Sequence, residues 1–181
     1  MKRVFIGGSR HFNRLNDDIR RRLDRIIERQ LHVLIGDANG ADKAVQSYLN
    51  DHAYRDVVVF CTGGECRNNI GGWQVRSVDA PHKVKDFAYY SSKDMVMAHE
   101  ADAGFMLWDG ESIGTVVNIA RMLSAGKTVS VYVSPEKSFY SLKTPEDLKK
   151  ILSACKHDVK MRLDRYIIEH AQEYTQPMLF R

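Results

Sequence analysis

The chain has no long hydrophobic run. Its most apolar stretches, residues 57–61 and 103–107, are strand-sized, far below the ~20 residues of a membrane-spanning helix. The start, MKRVFIGGSR, is basic, but the roughly 7–15-residue apolar segment of a signal peptide does not follow it. Cysteine is scarce and odd in number: Cys61, Cys66 and Cys155. A disulfide framework is therefore not expected, and a reducing, cytoplasmic setting with no membrane contact is. Neither sign of charge dominates, since 27 basic and 23 acidic residues leave a net charge of +4. What is present is ordinary for a globular protein: 44% hydrophobic and 28% charged residues over 181 positions. That composition excludes disorder and low complexity. The length suffices to bury roughly two-thirds of the unfolded surface.

Short apolar runs alternate with longer amphipathic ones. Residues 3–6, 32–35, 56–61, 103–107 and 128–133 read as strands. Between them, 15–30 has apolar residues at Leu15, Ile19, Leu23, Ile26 and Ile27, one face of a helix. A second helix follows GDANGAD with Ala41, Ala44, Val45, Tyr48 and Leu49. A third is expected over 89–101 with Met95, Ala98 and Ala101 inward, and a fourth over 114–125, closed by Gly126. Alternation of this kind means parallel pairing through right-handed crossovers. The expected fold is α/β, a Rossmann-like doubly wound parallel sheet of about five strands.

Residues 62–87 interrupt the rhythm with Gly63, Gly64, Gly71 and Gly72. They read as a long excursion with a short extra strand near 74–78. Beyond the fifth strand, Thr144-Pro145-Glu146-Asp147 is a helix start. A last helix carries Val159, Leu163, Tyr166, Ile167 and His170. The expected division is a core domain over 1–135 and a helical extension over 136–181 packed on it. That last helix can bury its apolar face on its own domain or on a second subunit, so a homodimer through helices stays open.

Ligands of open parallel sheets bind beyond the carboxyl ends of the strands. Three glycine-containing loops stand there: GGSRHFN, GDANGAD and WDGESIGT. Each opens a helix, whose free N–H groups and positive dipole end suit a phosphate. The candidates are Gly8, Ser9 and Arg10 in the first loop, Gly36, Asp37, Gly40 and Asp42 in the second, and Trp108, Asp109, Ser112, Gly114 and Thr115 in the third. Arg10 supplies a fork-shaped cation. Trp108 reads as a base platform or as the lid of the core. Asp109 can bind ribose hydroxyls or cap the next turn. No G-x-G-x-x-G follows the first strand and no G-K-[ST] occurs, so neither dinucleotide nor Walker A signatures apply.

The ordered set GGSRHF, GDANGADKAV and ADAGFMLWDGESIGTVVNIARMLSAGKTVSVY resembles the SLOG superfamily of Rossmann-like domains. That group includes the DNA-processing DprA domain, the molybdenum-cofactor carrier proteins and the Lonely Guy enzymes. The nearest likeness is to the YspA-like branch, in which D-G-x-S-x-G-T precedes the last core helix. The resemblance covers about residues 2–135. It implies a nucleotide or nucleotide-derived ligand held by Ser9, Arg10, Gly36, Gly40, Asp42, Ser112, Gly114 and Thr115. The Lonely Guy pattern G-G-x-G-T-x-x-E has a glutamate that takes part in cleaving an N-glycosidic bond. The matching position here is Asn118, which is neither a base nor a nucleophile. A binding or sensing module is the favoured expectation. The alternative is an enzyme acting on an N-glycosidic or phosphate bond through Asp109 or Glu111. A third reading, nucleic-acid association, rests on the likeness to DprA and on Arg20, Arg21, Arg22, Arg25 and Arg29, interrupted by Asp24 and Glu28.

No cofactor or metal is expected. The C-x₄-C spacing of Cys61 and Cys66 lacks a second pair, with only Cys155 and His82 in prospect. In the excursion, Arg67, Asn68 and Asn69 either reach over the pocket or build turns, and Trp73 either stacks on a ligand or fills a satellite core. Lys93 and Asp94 can point into the pocket. Tyr89 and Tyr90 read as core, and His11 can titrate near neutrality in the first loop.

Overall fold

The structure, a computed structural model, describes residues 2–80, 84, 86–153 and 157–169, with only the backbone described at 87 and 167–169. His82, Cys155 and His170, and the side chain of Ile167, lie outside the described residues.

Seven strands form one sheet in the order β4-β3-β2-β1-β5-β6-β7. In chain order the elements are β1 (Arg3–Gly8), α1 (Asp17–Glu28), β2 (His32–Gly36), α2 (Ala41–Asp51), β3 (Val57–Thr62), β4 (Gln74–Val78) and α3 (Phe87–Glu100). Then come β5 (Ala103–Trp108), α4 (Ile113–Ser124), β6 (Thr128–Val133), β7 (Ser138–Leu142), α5 (Pro145–Ser153) and α6 (His157–Glu169). All pairings are parallel except β6–β7, which is antiparallel. The fold is the doubly wound α/β sheet, with seven strands where about five were expected. The excursion supplies β4, parallel to β3. The other addition is β7, a hairpin partner of β6 over residues expected to belong to the helical extension.

The pleat sends alternate residues to opposite layers. Along β1, Val4 and Ile6 join Ile19, Leu23 and Ile26 of α1 and Val45 and Leu49 of α2. Phe5 faces the other way, toward Met97 and Ala98 of α3 and Val116, Ile119 and Met122 of α4. Leu148, Ile151 and Leu163 of α5 and α6 enter this second core, so the terminal helices pack beside α4. On α3 the inward residues are Met97, Ala98 and Ala101, whereas Met95 is 46% exposed. The helix is turned so that Met95 faces outward, which corrects its expected core role. Helix starts are set locally. The Asn16 side chain accepts the Ile19 N–H ahead of α1, and Thr144 and Asp147 exchange side-chain bonds to each other's N–H before α5. Among the described residues, no helix is long and apolar enough to cross a membrane.

Candidate functional site

Strand order reverses at β1. Its neighbours are β2 on one side and β5 on the other, so the chains leaving β1 and β5 diverge and open a crevice. A cavity of about 550 Å³ lies there. The β1 loop contributes Gly8, Ser9, Arg10 and His11, and the β5 loop contributes Asp109, Glu111 and Ser112. Gly114, Thr115 and Asn118 come from α4, and Asp42 from α2. Ten of the candidate residues thus share one wall.

Four candidates do not line it. Trp108 is 1% exposed and packs in the core among α4 and the sheet. Its indole N–H donates to the Ser112 carbonyl at 3.2 Å. It is the lid of the core, not a platform for a base. Asp37 is also buried, and Arg67 grips it with Nε at 3.0 Å and Nη2 at 2.7 Å. Burial pushes the Asp37 carboxyl up, but the Arg67 bonds and nearby Lys93 outweigh it and hold it below the ordinary range. Asp37 therefore anchors the excursion. Gln46 does the same, donating to the Gly36 carbonyl at 2.8 Å and accepting the Ile70 N–H at 3.0 Å. Gly36 lies beneath the cavity floor, where a Cβ would meet Asp42 Oδ2 and the Lys93 ammonium. Gly40 has φ +83° and is pressed against the Arg10 backbone. There only glycine is both unstrained and small enough.

Ser9 and Asp109 join the two loops. The Ser9 hydroxyl donates to Asp109 Oδ2 at 2.5 Å and accepts the His11 N–H at 3.1 Å. Its single donor is engaged, so Ser9 orders the loop instead of offering a proton to a ligand. The other Asp109 oxygen accepts the N–H groups of Glu111 and Ser112 at 3.1 and 2.8 Å. Burial raises the Asp109 pKa, but these hydrogen bonds more than offset it and hold the carboxyl below its ordinary value. Of its two candidate roles, capping the turn is the one the geometry carries.

The positive end of α4 is differently disposed. No side chain caps it. The first-turn residues Ile113, Gly114 and Thr115 line the cavity, and the Thr115 hydroxyl turns back to Ser112 Oγ at 3.1 Å. By contrast, the first N–H of α2, that of Ala41, is taken by the Ser9 carbonyl at 3.0 Å. Of the two first turns, α4 brings Ile113, Gly114 and Thr115 to the cavity and α2 brings Asp42.

Residues of α3 complete the wall: Tyr90, Ser91, Lys93 and Asp94. Tyr90, expected in the core, is half-buried. The Arg10 and Arg67 guanidiniums lie 5.3 and 4.9 Å from its ring centroid. Arg10 forms no ion pair among the described residues. Lys93 reaches Asp94 at 2.6 Å, and Asn118 Nδ2 donates to the other Asp94 oxygen at 3.0 Å. Asp42 is buried beside them. Burial pushes its carboxyl up to about 7, with Lys93 opposing. The Lys93 ammonium is held charged, because Asp94 and Asp42 more than compensate for its burial. Arg162 of α6 closes the rim.

The remaining candidates fall outside the cavity. Trp73 fills a satellite core, its indole N–H donating to the Tyr54 carbonyl at 2.9 Å. Cys61 and Cys66 are free thiols in mutual contact, and burial and Cys61 push the Cys66 thiol up to about 12. Among the described residues no group of three His, Cys, Asp or Glu is placed to hold a metal. The α1 arginines lie on the other layer. Arg20 pairs with Asp17 at 3.7 Å, Arg21 pairs with Asp18, and Arg22 lies 4.9 Å from the Phe139 ring centroid.

No family model and no curated protein matches the chain.

Proposed function

We propose that the cavity binds a nucleotide or a nucleotide-derived small molecule, with the phosphate at the start of α4 and Arg10 closing on it from the β1 loop. The observation that carries this reading is the uncapped N-terminus of α4, opening into a cavity of about 550 Å³ at the reversal of strand order. A volume of this size accommodates a small organic ligand. The Arg10 guanidinium, without an ion pair among the described residues, adds a fork suited to phosphate oxygens. Titration of the protein with nucleoside mono-, di- and triphosphates and with inorganic phosphate tests it by calorimetry. Saturable binding that is weakened when Gly114 is replaced by Pro supports the reading. Absence of heat with every phosphate compound removes it.

Cleavage of an N-glycosidic or phosphate bond by Asp109 or Glu111 is the competing reading. It draws less support, because Asp109 already accepts three hydrogen bonds and Asn118 offers no carboxylate. Chromatography of nucleoside monophosphates after incubation separates the two. Steady release of free base or phosphate supports the enzyme, and intact nucleotide supports the binding module. Nucleic-acid association draws on the α1 arginines, two of which are paired with acids on their own helix.

A further inference from the structure

At the deep end of the cavity, four polar side chains from three helices meet: Asp42 of α2, Lys93 and Asp94 of α3, and Asn118 of α4. The first two are 7% and 4% exposed. Among the described residues, the Lys93 ammonium makes a single hydrogen bond, to Asp94. An ammonium has three donors, so two remain unmade. One Asp42 oxygen accepts the Ala38 N–H at 3.1 Å, and the other has no hydrogen-bond partner among the described residues. The unpartnered Asp42 oxygen is not among the sealed polar atoms that lack a partner, so it and the spare ammonium donors are open to whatever fills the cavity. Inside a cavity, they mark where a polar ligand completes the network.

The chemistry of the four groups selects the kind of ligand. Two carboxyl groups flank one ammonium, so the cluster has no surplus of positive charge to attract an anion. A plain aromatic ring would offer no donor to the carboxyl groups. A hydroxyl both donates and accepts, and two adjacent hydroxyls can meet a carboxylate and an ammonium side by side. Asn118 holds Asp94 in position, and its own orientation is fixed by Arg121 Nη1, which donates to the amide oxygen at 3.3 Å. Asn118 stands four residues beyond Gly114 on α4, about 6 Å along the helix axis. That is comparable to the reach from the 5-phosphate of a pentose to its ring hydroxyls.

We infer that Asp42, Lys93, Asp94 and Asn118 form a vicinal-diol subsite, so that the ligand is a pentose phosphate with both ring hydroxyls free, not its deoxy counterpart. The inference rests on the reading of the α4 N-terminus as the phosphate site. The ribonucleotide and the simple sugar phosphate share this chemistry.

Calorimetry on the full chain tests it. The probes are ribose 5-phosphate and 2-deoxyribose 5-phosphate, the 5′-monophosphates of adenosine and 2′-deoxyadenosine, and inorganic phosphate. Each ribo probe should bind about tenfold or more tightly than its deoxy partner, the discrimination of one charge-assisted hydrogen bond. Asp94→Asn should erase that ratio while inorganic phosphate still binds. Tighter binding of the adenosine compound than of ribose 5-phosphate identifies a nucleotide, and equal binding identifies the sugar phosphate; both outcomes retain the diol subsite. Equal affinity for ribo and deoxy probes, with phosphate still bound, overturns the diol subsite alone. No binding by any of the five probes overturns the phosphate reading and the diol subsite together. The wild-type ratio decides even where a variant does not fold.

Discussion

Asp42 is a carboxyl that the fold keeps protonated well above the pH at which an ordinary aspartate ionises. Burial holds it at about 7, whereas an unfolded aspartate titrates near about 4. Between these values the native state binds a proton that the unfolded chain has released. Stability therefore falls as pH rises through that window. Asp42→Asn replaces the group by an uncharged one of the same shape. The melting temperature of the variant minus that of the wild type should be more positive at pH 8 than at pH 5, as read by differential scanning fluorimetry. A flat difference would show that Asp42 does not titrate there. Arg10 is a contrasting residue, exposed, held to Tyr90 by ring contact alone, and free of ion pairs among the described residues. Arg10→Ala should weaken binding of a phosphorylated ligand by about 1.5–3 kcal/mol, with the melting temperature nearly unchanged. Unaltered affinity in calorimetry would return Arg10 to the ordinary surface. Trp108→Ala should act in the opposite sense. It removes a fully buried indole and should cost about 3–5 kcal/mol in denaturant unfolding.

The elements were legible where burial writes a period into the chain. β1, β2, β3, β5 and β6 are apolar on both faces because helices cover both faces, and a short continuous apolar run records that. β7 was not legible, for a local reason. Its turn passes through Lys137 at φ +49°, a left-handed position held without the glycine or asparagine that usually announces one. The strand Ser138–Leu142 is also only partly buried. The candidate loops were visible as glycines at strand ends, and their backbone role holds at Gly40. Gly40→Ala should destabilise the protein by more than about 1 kcal/mol, because the positive φ is strained for alanine and its Cβ meets the Arg10 backbone. Chemical denaturation reads this directly, and a neutral result would mean that the β1 loop can move aside. Of what α3 brings, Lys93 and Asp94 were read as able to point into the pocket and do line it, whereas Tyr90 was read as core. Nothing in the local pattern tells that a helix entered from an edge strand crosses the sheet to stand beside α4.

At the scale of the molecule, the site belongs to no single unit of the chain. Its wall joins the β1 loop, the start of α2, the middle of α3, the β5 loop, the first turns of α4 and Arg162 of α6. A ligand bound there should protect amides on both sides of β1, because opening either side dismantles the cavity. Hydrogen exchange with and without adenosine 5′-monophosphate should slow β1, β5 and α4 together. Slowing confined to the α4 turn would mean that the ligand touches a local loop and not the crevice.

The central strand also sets an order of events during synthesis. β1 pairs with residues 32–35 along one edge and with 103–107 along the other. The first partner is made almost at once, and the second only after the middle of the chain has left the ribosome. Until then, the β5-facing edge of β1 is an open row of donors and acceptors, the kind of edge on which nascent chains mispair. The crevice is made by that late pairing, so a ribosome-bound fragment ending before residue 103 should have no capacity to retain a small molecule, however well its four strands are formed.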